Sequence, residues 1–444
     1  MRAAILAAGE GRRLRPHFSG PKPLIHLLGL SLIERNMLTL RESGIQEIVI
    51  VTGCHSAEIQ EALGDGSKWG IKITYVHNPD WQKGNGVSAY ALHTVFRPEE
   101  KFVLMMADHI FEPQAVRAFV AEAEKISDSE VLLAADRNLD RVHDVEECTK
   151  IQAEHDRAQK LGKDLGDFNA VDCGLFMCTG ALFPALSQAI AQGRHALTDG
   201  INILAKQGKV KLHFVDQAWV DVDDRESFHH AEHMLLKSLV PDKDGLISRH
   251  LNRKVSLQIT KRLASTPVTP NQVTVASFIV SLASALSFAA GFPLVGGLLA
   301  QFSSILDGVD GELARLKFLQ SQYGGLVDAI LDRYADFFIV AGMAYWWCLQ
   351  TDQPIMALLV SAAALSGIPM SMLVKEKYKA LTGRTYIPET DDGLWRYLPA
   401  NRDGRLFIVM LGGIFNLIPA TLILLAVTTH LAAIVRLVQL RKLM

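Results

Sequence analysis

Lysine and arginine are missing from long stretches after Thr274, although the 444-residue chain has 45 of them. Uninterrupted apolar segments of that length exclude a water-soluble fold for the whole chain and point to membrane-crossing helices. A formal net charge of −2 excludes a general nucleic-acid binder. The five cysteines (Cys54, Cys148, Cys173, Cys178, Cys348) show no CxxC or zinc-type spacing. That pattern suits a reducing cytoplasm. No leader-like segment precedes the first apolar strand, so the N-terminal half is expected in the cytoplasm. The length calls for two domains. The composition shift sets them at 1–240 (soluble) and 272–444 (membrane), joined through 241–271.

What the second half does have is carboxylates in a pattern. Asp307 and Asp310 are three residues apart and share a helix face, and Asp328 and Asp332 do so at a spacing of four. Ionised groups beside apolar spans are costly and are kept for ion or substrate chemistry. Two such pairs facing one another form an all-oxygen cage for a hard divalent cation. A solvated acidic face is the plain alternative, which the flanking hydrophobicity opposes.

In the first half, residues 2–8 are a continuous apolar run leading into a turn with Gly9 and Gly11. Further strands are expected at 46–52, 71–76, 102–107 and 130–135, with helices near 31–43, 56–63, 86–95 and 113–125. This alternation implies an α/β Rossmann-like domain, its mostly parallel sheet covered on both faces and binding ligands at the C-terminal strand ends. Leu6, Ala7, Ala8, Gly9 and Gly11 are candidate contacts that let backbone N–H groups approach a triphosphate. Arg12, Arg13, Arg15 and Lys22 supply countercharge. A tight turn with solvated arginines is the alternative.

The run from Leu6 to Arg15, followed by Pro21-Lys22-Pro23-Leu24, resembles the signature of nucleotidyltransferases that activate sugar or alcohol phosphates with NTPs. That resemblance implies a metal-binding aspartate at Asp108 and a second acidic position at Asp221 or Asp223. It also implies a base-reading segment at Gly84 and Asn85, and a sugar-pocket strand through Asp172 and Cys173. Trp219, two residues ahead, favours Asp221, but charge alone does not choose. The implied chemistry is in-line attack of an acceptor phosphate on the NTP α-phosphorus. Arg15 and Lys22 are its candidate catalytic cations, with Mg²⁺, or alternatively Mn²⁺, on Asp108.

Apolar spans fall at 273–291, 293–306, 328–348, 354–374, 405–418 and 419–437. Basic residues cluster before the first span, within 315–333, at 375–405 and after Arg436, and are absent from the alternate loops. The positive-inside rule then gives an all-α polytopic domain of six transmembrane helices in the cell membrane, with both termini and both active sites cytoplasmic. The 246–264 segment steps Ile247, Leu251, Val255, Ile259 and Leu263 along one side, with basic residues on the other; it lies on an anionic membrane surface or packs on protein.

Asp307, Asp310, Gly311, Ala314, Arg315, Gly324, Asp328 and Asp332 match every fixed position of the CDP-alcohol phosphotransferase signature, which this half resembles. The resemblance implies that Asp307, Asp310 and Asp328 bind divalent ions. Asp332 would be the general base and also touch a metal. Gly311, Ala314 and Gly324 would admit the nucleotide closely, while Arg315 contacts phosphate or holds a carboxylate. Asp336 is expected in a helix-packing ion pair. Arg402 and Arg405 either clamp an acceptor phosphate or anchor the chain at the interface.

The fusion of the two halves resembles the bifunctional inositol-1-phosphate cytidylyltransferase and di-myo-inositol-phosphate-phosphate synthase family. That resemblance implies CTP, a CDP-alcohol and phospho-alcohols as substrates, membrane lipids as surroundings, and a homodimer. The charged share of 21% and the five cysteines suit a moderate growth temperature. A lipid hydroxyl acceptor, as in phospholipid headgroup synthesis, therefore stays open, as does a membrane-tethered cytidylyltransferase acting alone.

Overall fold

Both faces of the first strand are apolar, which requires cover on both sides. In the computed structural model, Ala3, Ile5 and Ala7 enter one core and Ala4 and Leu6 the other. The structure describes the chain except residues 12, 15–17, 124, 242–246, 385, 388–390, 392–400 and 444. Two compact units result, Met1–Ser238 and Leu239–Met444.

The first unit is built on a nine-stranded sheet. Lys72–His77, Glu47–Thr52, Arg2–Ala7 and Phe102–Met106 lie side by side in parallel register. Helices Leu32–Glu42, Ser56–Leu63 and Pro113–Ala123 cover one face, and Asn85–Ala91, Leu182–Ala191 and Leu197–Lys206 the other. The first of these helices starts where Ser31 and Glu34 cap one another, the Ser31 N–H donating to Glu34 Oε2 at 2.7 Å and the Glu34 N–H to Ser31 Oγ at 3.3 Å.

Beyond Phe102–Met106 the sheet departs from the expected parallel order. Ala170–Cys178 is antiparallel to all three strands it pairs with, Phe102–Met106, Val131–Asp136 and Lys150–Glu154. The outer edge is the hairpin Lys150–Glu154 with Arg157–Gly162, too polar to be read as strands from the sequence. The register of Ala170–Cys178 shifts between Asp172 and Phe176, where Gly174 has φ +74°. Such bulges re-aim side chains beside active sites.

The second unit is helical among the described residues. After Arg253–Ala264 come Pro270–Ala289, Pro293–Leu316, Gln322–Gln350, Pro354–Thr382, Arg402–Ile414 and Ile418–Leu443. Three of these are long and apolar enough to cross a membrane: Pro270–Ala289, Pro354–Thr382 and the Ile418–Arg441 segment. Pro293–Leu316 and Gln322–Gln350 have the length but carry the aspartates, and Arg402–Ile414 has 13 residues. Small residues let the helices touch: a Cβ on Gly342 would strike the Ala285 carbonyl, and one on Gly413 that of Pro293. Leu286, Ile355 and Leu437 are 71%, 75% and 65% exposed. Such an apolar exterior suits lipid rather than water, making the chain a membrane protein.

Arg253–Ala264 turns its small polar side inward. Glu312, wholly buried on Pro293–Leu316, accepts from Arg253 at 2.5 Å, Ser256 at 2.6 Å and Thr260. Leu251 and Val255 stay exposed. Glu312→Ala strips three donors of a shared acceptor and is expected to destabilise this unit by about 3–5 kcal/mol. Thermal unfolding in detergent measures it, with Glu312→Gln retaining part of the loss.

Candidate active sites

The centre in the first unit forms where the Arg2–Ala7 and Phe102–Met106 strands end. Pro21 and Pro23 fix the backbone around Lys22, and Gly11, at φ +65°, leaves room where a Cβ would strike the lysine stem. Lys22, 8% exposed, places Nζ 2.6 Å from Asp108 Oδ2, 2.6 Å from Asp223 Oδ1 and 4.0 Å from Asp221 Oδ1. Asp108 sits in the turn between Phe102–Met106 and the short strand His109–Phe111. That strand pairs antiparallel with Trp219–Asp221, in the register that sets Asp221 opposite His109. Leu6, Ala7, Gly9, Gly11, Arg13, Lys22, Asp108 and Asp223 line a cavity of about 320 Å³.

Asp108, His109 and Asp221 each bring one ligand-type atom within 4.8 Å of the others. The Asp221 Oδ1 atom is buried without a hydrogen-bond partner, a lone pair that a cation would satisfy. Asp223 stands instead with Lys22 and with Arg13, 3.3 Å away. Burial would raise Asp108, but Lys22 and His109 outweigh it and hold its carboxyl well below the usual range. Burial would lower His109, yet Asp221 and Asp108 lift it to about 9. Burial raises Asp221 to about 6 against the pull of His109. Asp172, also raised to about 6 by burial, accepts from the Gly174 N–H at 2.7 Å.

Not every expected residue reaches the cavity. Arg12 and Arg15 lie outside the described residues. Asn85 accepts from the Leu197 N–H at 2.8 Å, and Gly84 lies tight against the His195 carbonyl, so this pair braces the 195–197 segment. Cys173 is fully buried in the core, with its thiol raised by that burial. His109, next to Asp108, is not among the residues expected in the site. Its only signal was adjacency, because its partner Asp221 is far away in sequence.

The second centre lies on two helices joined by a tight turn. Phe318 takes φ +56°, and the Leu319 N–H donates to the Ala314 carbonyl to end Pro293–Leu316. Ser321 then caps Gln322–Gln350, accepting from the Gly324 N–H at 2.9 Å. Asp307, Asp310 and Asp328 bring their carboxylate oxygens within 4.8 Å of one another. Asp328 Oδ1 is buried without a hydrogen-bond partner, again what a cation site would leave open. Thr274 donates to Asp310 at 2.6 Å. A cavity of about 340 Å³ opens on this side, lined by Asn271, Thr274, Asp310, Gly311, Ala314, Arg315, Gly324 and Asp328. Asn271 and Thr274 are not among the residues expected here. Their signal was polarity at the head of an apolar run.

The other side of the ladder belongs to arginine. One Arg402 nitrogen lies 2.7 Å from Asp307 and 2.8 Å from Asp332, and its Nε 3.6 Å from Asp336. Arg405, 2% exposed, is committed to Asp336 at 2.6 Å. A two-arginine phosphate clamp is therefore not assembled: burial removes Arg405 from any surface a phosphate would reach. Arg315 donates to the Leu239 carbonyl at 2.8 Å while lining the cavity.

Two family models divide the chain as the geometry does. The nucleotidyl transferase model matches residues 2–238 and the CDP-alcohol phosphatidyltransferase model residues 267–440. The bifunctional IPC transferase and DIPP synthase of Rubrobacter xylanophilus is 35% identical across 99% of this chain and 96% of its own. Its namesake in Thermococcus kodakarensis is 34% identical across 97% and 94%, and that in Aquifex aeolicus 33% across 97% and 96%. The chain belongs to the bifunctional IPC transferase and DIPP synthase family. This chain thus carries a nucleotidyltransferase and a CDP-alcohol phosphotransferase on one polypeptide, with an acidic cluster suited to a divalent cation in each unit.

In this family member Gly174 is a sensitive point, since a Cβ there would fall 2.5 Å from the His109 ring. Gly174→Ala is expected to destabilise the first unit by about 1–2 kcal/mol from the left-handed backbone alone. A lowered unfolding midpoint, together with a shifted His109 ring resonance, checks it.

Proposed function

We propose that the chain makes and then spends a CDP-alcohol. The first unit joins CTP to inositol-1-phosphate: a phosphate oxygen attacks the CTP α-phosphorus, CDP-inositol forms and pyrophosphate leaves. The second unit uses a hydroxyl of another inositol-1-phosphate to attack the β-phosphorus of CDP-inositol, breaking the pyrophosphate link. Di-inositol phosphate phosphate forms and CMP leaves. The near full-length likeness to enzymes named for both steps carries this reading, and the two carboxylate centres support it.

In the first unit the strand-end turn from Leu6 to Gly11 receives the triphosphate, and Lys22 faces the charge that gathers on it. Asp108 and Asp221 would hold Mg²⁺, with Asp223 keeping Lys22 in place. In the second unit Asp307, Asp310 and Asp328 would hold Mg²⁺ beside the CDP cavity. When bound, the ions neutralise charge developing on phosphate oxygens. Asp332 takes the acceptor's proton, and Arg402, beside it, is the arginine set to meet the acceptor's phosphate. Asp332→Asn is expected to cut CMP release from CDP-inositol by about 10²- to 10⁴-fold while pyrophosphate release from CTP persists. Asp108→Ala is expected to do the reverse. Loss of both activities in either variant would sink the two-site model.

The six helices described after residue 269 are read as six crossings, with the short Arg402–Ile414 helix as the fifth. The loops at 291–292, 351–353 and 415–417, free of lysine and arginine, support cytoplasmic termini. Labelling of single cysteines placed at residues 352 and 441 of a cysteine-free chain tests the sidedness.

A lipid hydroxyl as acceptor is the second reading. It is favoured by an apolar cavity of about 380 Å³ lined by Ile330, Tyr334, Phe337, Leu365, Ile368 and Pro369, with Arg333 and Asp336 also lining it. Mass spectrometry of the products from CTP and inositol-1-phosphate, with and without added lipid, decides between them. A product extractable into organic solvent would replace the first reading with the second.

A further inference from the structure

His109 is held by several neighbours, yet none of the chemistry above uses it. Its ring lies parallel to that of Trp219, at 5.9 Å between centroids and 10° between planes. The Trp219 indole N–H donates to the buried Asp136 at 3.0 Å, and Asp136 is paired with Arg141 at 2.9 Å. Across the ring stands Gly174, at the bulge where no Cβ fits. The ring therefore has one orientation, with Nδ1 3.0 Å from Asp108 Oδ1 and 3.6 Å from Asp221 Oδ1.

We propose that His109 is a positioning residue: its Nδ1–H fixes Asp108 in the attitude that receives a divalent cation together with Asp221, and the imidazole itself stays off the ion. Hydrogen-bond distance to Asp108 leaves Nδ1 no lone pair for a metal, and a hard cation prefers the oxygens. The Trp219 stack and the Gly174 gap then have a purpose, since they hold the ring against rotation. The inference rests on the reading that Asp108 and Asp221 form the first unit's cation site.

The test uses the full chain in detergent with Asp307→Asn and Asp310→Asn, so that only the first unit's site is counted. Mn²⁺ is titrated in the presence of CTP and followed by electron paramagnetic resonance. His109→Asn keeps a donor one bond from Cγ, where Nδ1 was. His109→Phe keeps the stack without the donor, and His109→Gln moves the donor one bond outward. The Asn variant is expected to bind Mn²⁺ within about 3-fold of the parent, and the Phe and Gln variants about 10- to 100-fold more weakly. The parent is expected to show no hyperfine coupling to a directly bound nitrogen. Equal affinity across the three variants overturns the proposal, as does a bound-nitrogen signal in the parent. Undiminished Mn²⁺ binding by Asp108→Ala would instead overturn the underlying site reading.

Discussion

Carboxylates of like charge do not stay together out of water unless something compensates them. Each unit meets this constraint in the same way, with several aspartates gathered around one buried cation. In the first unit Lys22 touches Asp108 and Asp223 and lies near Asp221. In the second Arg402 touches Asp307 and Asp332 and lies near Asp336. Each centre thus keeps its acidic groups close before any substrate or metal arrives. The choice of cation suits each task. A lysine is a compact point charge on a flexible stem, whereas a guanidinium is a planar fork, here meeting Asp307 and Asp332 through one nitrogen and lying near Asp336 with another.

Geometry around the cations sorts the aspartates. Asp221 and Asp328 each keep a buried oxygen without a partner, while Asp223 and Asp336 are occupied by basic side chains. Thr274 takes one oxygen of Asp310, orienting that carboxylate from a third helix. The cavity takes in Asp310 and Asp328 of the aspartate ladder, whereas Arg402 holds Asp307 and Asp332.

Much of this was legible because it is local. The spacings of Asp307 with Asp310 and of Asp328 with Asp332 follow from helix periodicity, as the strand-end turn at Gly9 and Gly11 follows from an apolar run meeting glycine. What depends on distant pairing was not legible. Nothing near Asp221 shows that it lies across a ribbon from His109, or that Trp219 braces that ring. Asn85 was read as a base contact because its neighbours matched a pattern; the fold gives its carbonyl oxygen to Leu197. Arg405 looked equivalent to Arg402 three residues earlier, but one helical turn separates the ladder from the buried Asp336 pair. The antiparallel strand through Gly174 also broke a parallel order inferred from alternation alone.

The short ribbon of His109–Phe111 and Trp219–Asp221 sets a rule for how such a chain can change in length. Side chains alternate faces along it, so a slip of one residue would put Val220 or Ile110 where a ligand belongs. Single-residue insertions or deletions within either strand should thus be purged, while the mostly exposed 163–167 segment, outside any strand, can lengthen. Among descendants of this chain, gaps should therefore accumulate at the sheet's far edge and stop short of the ribbon.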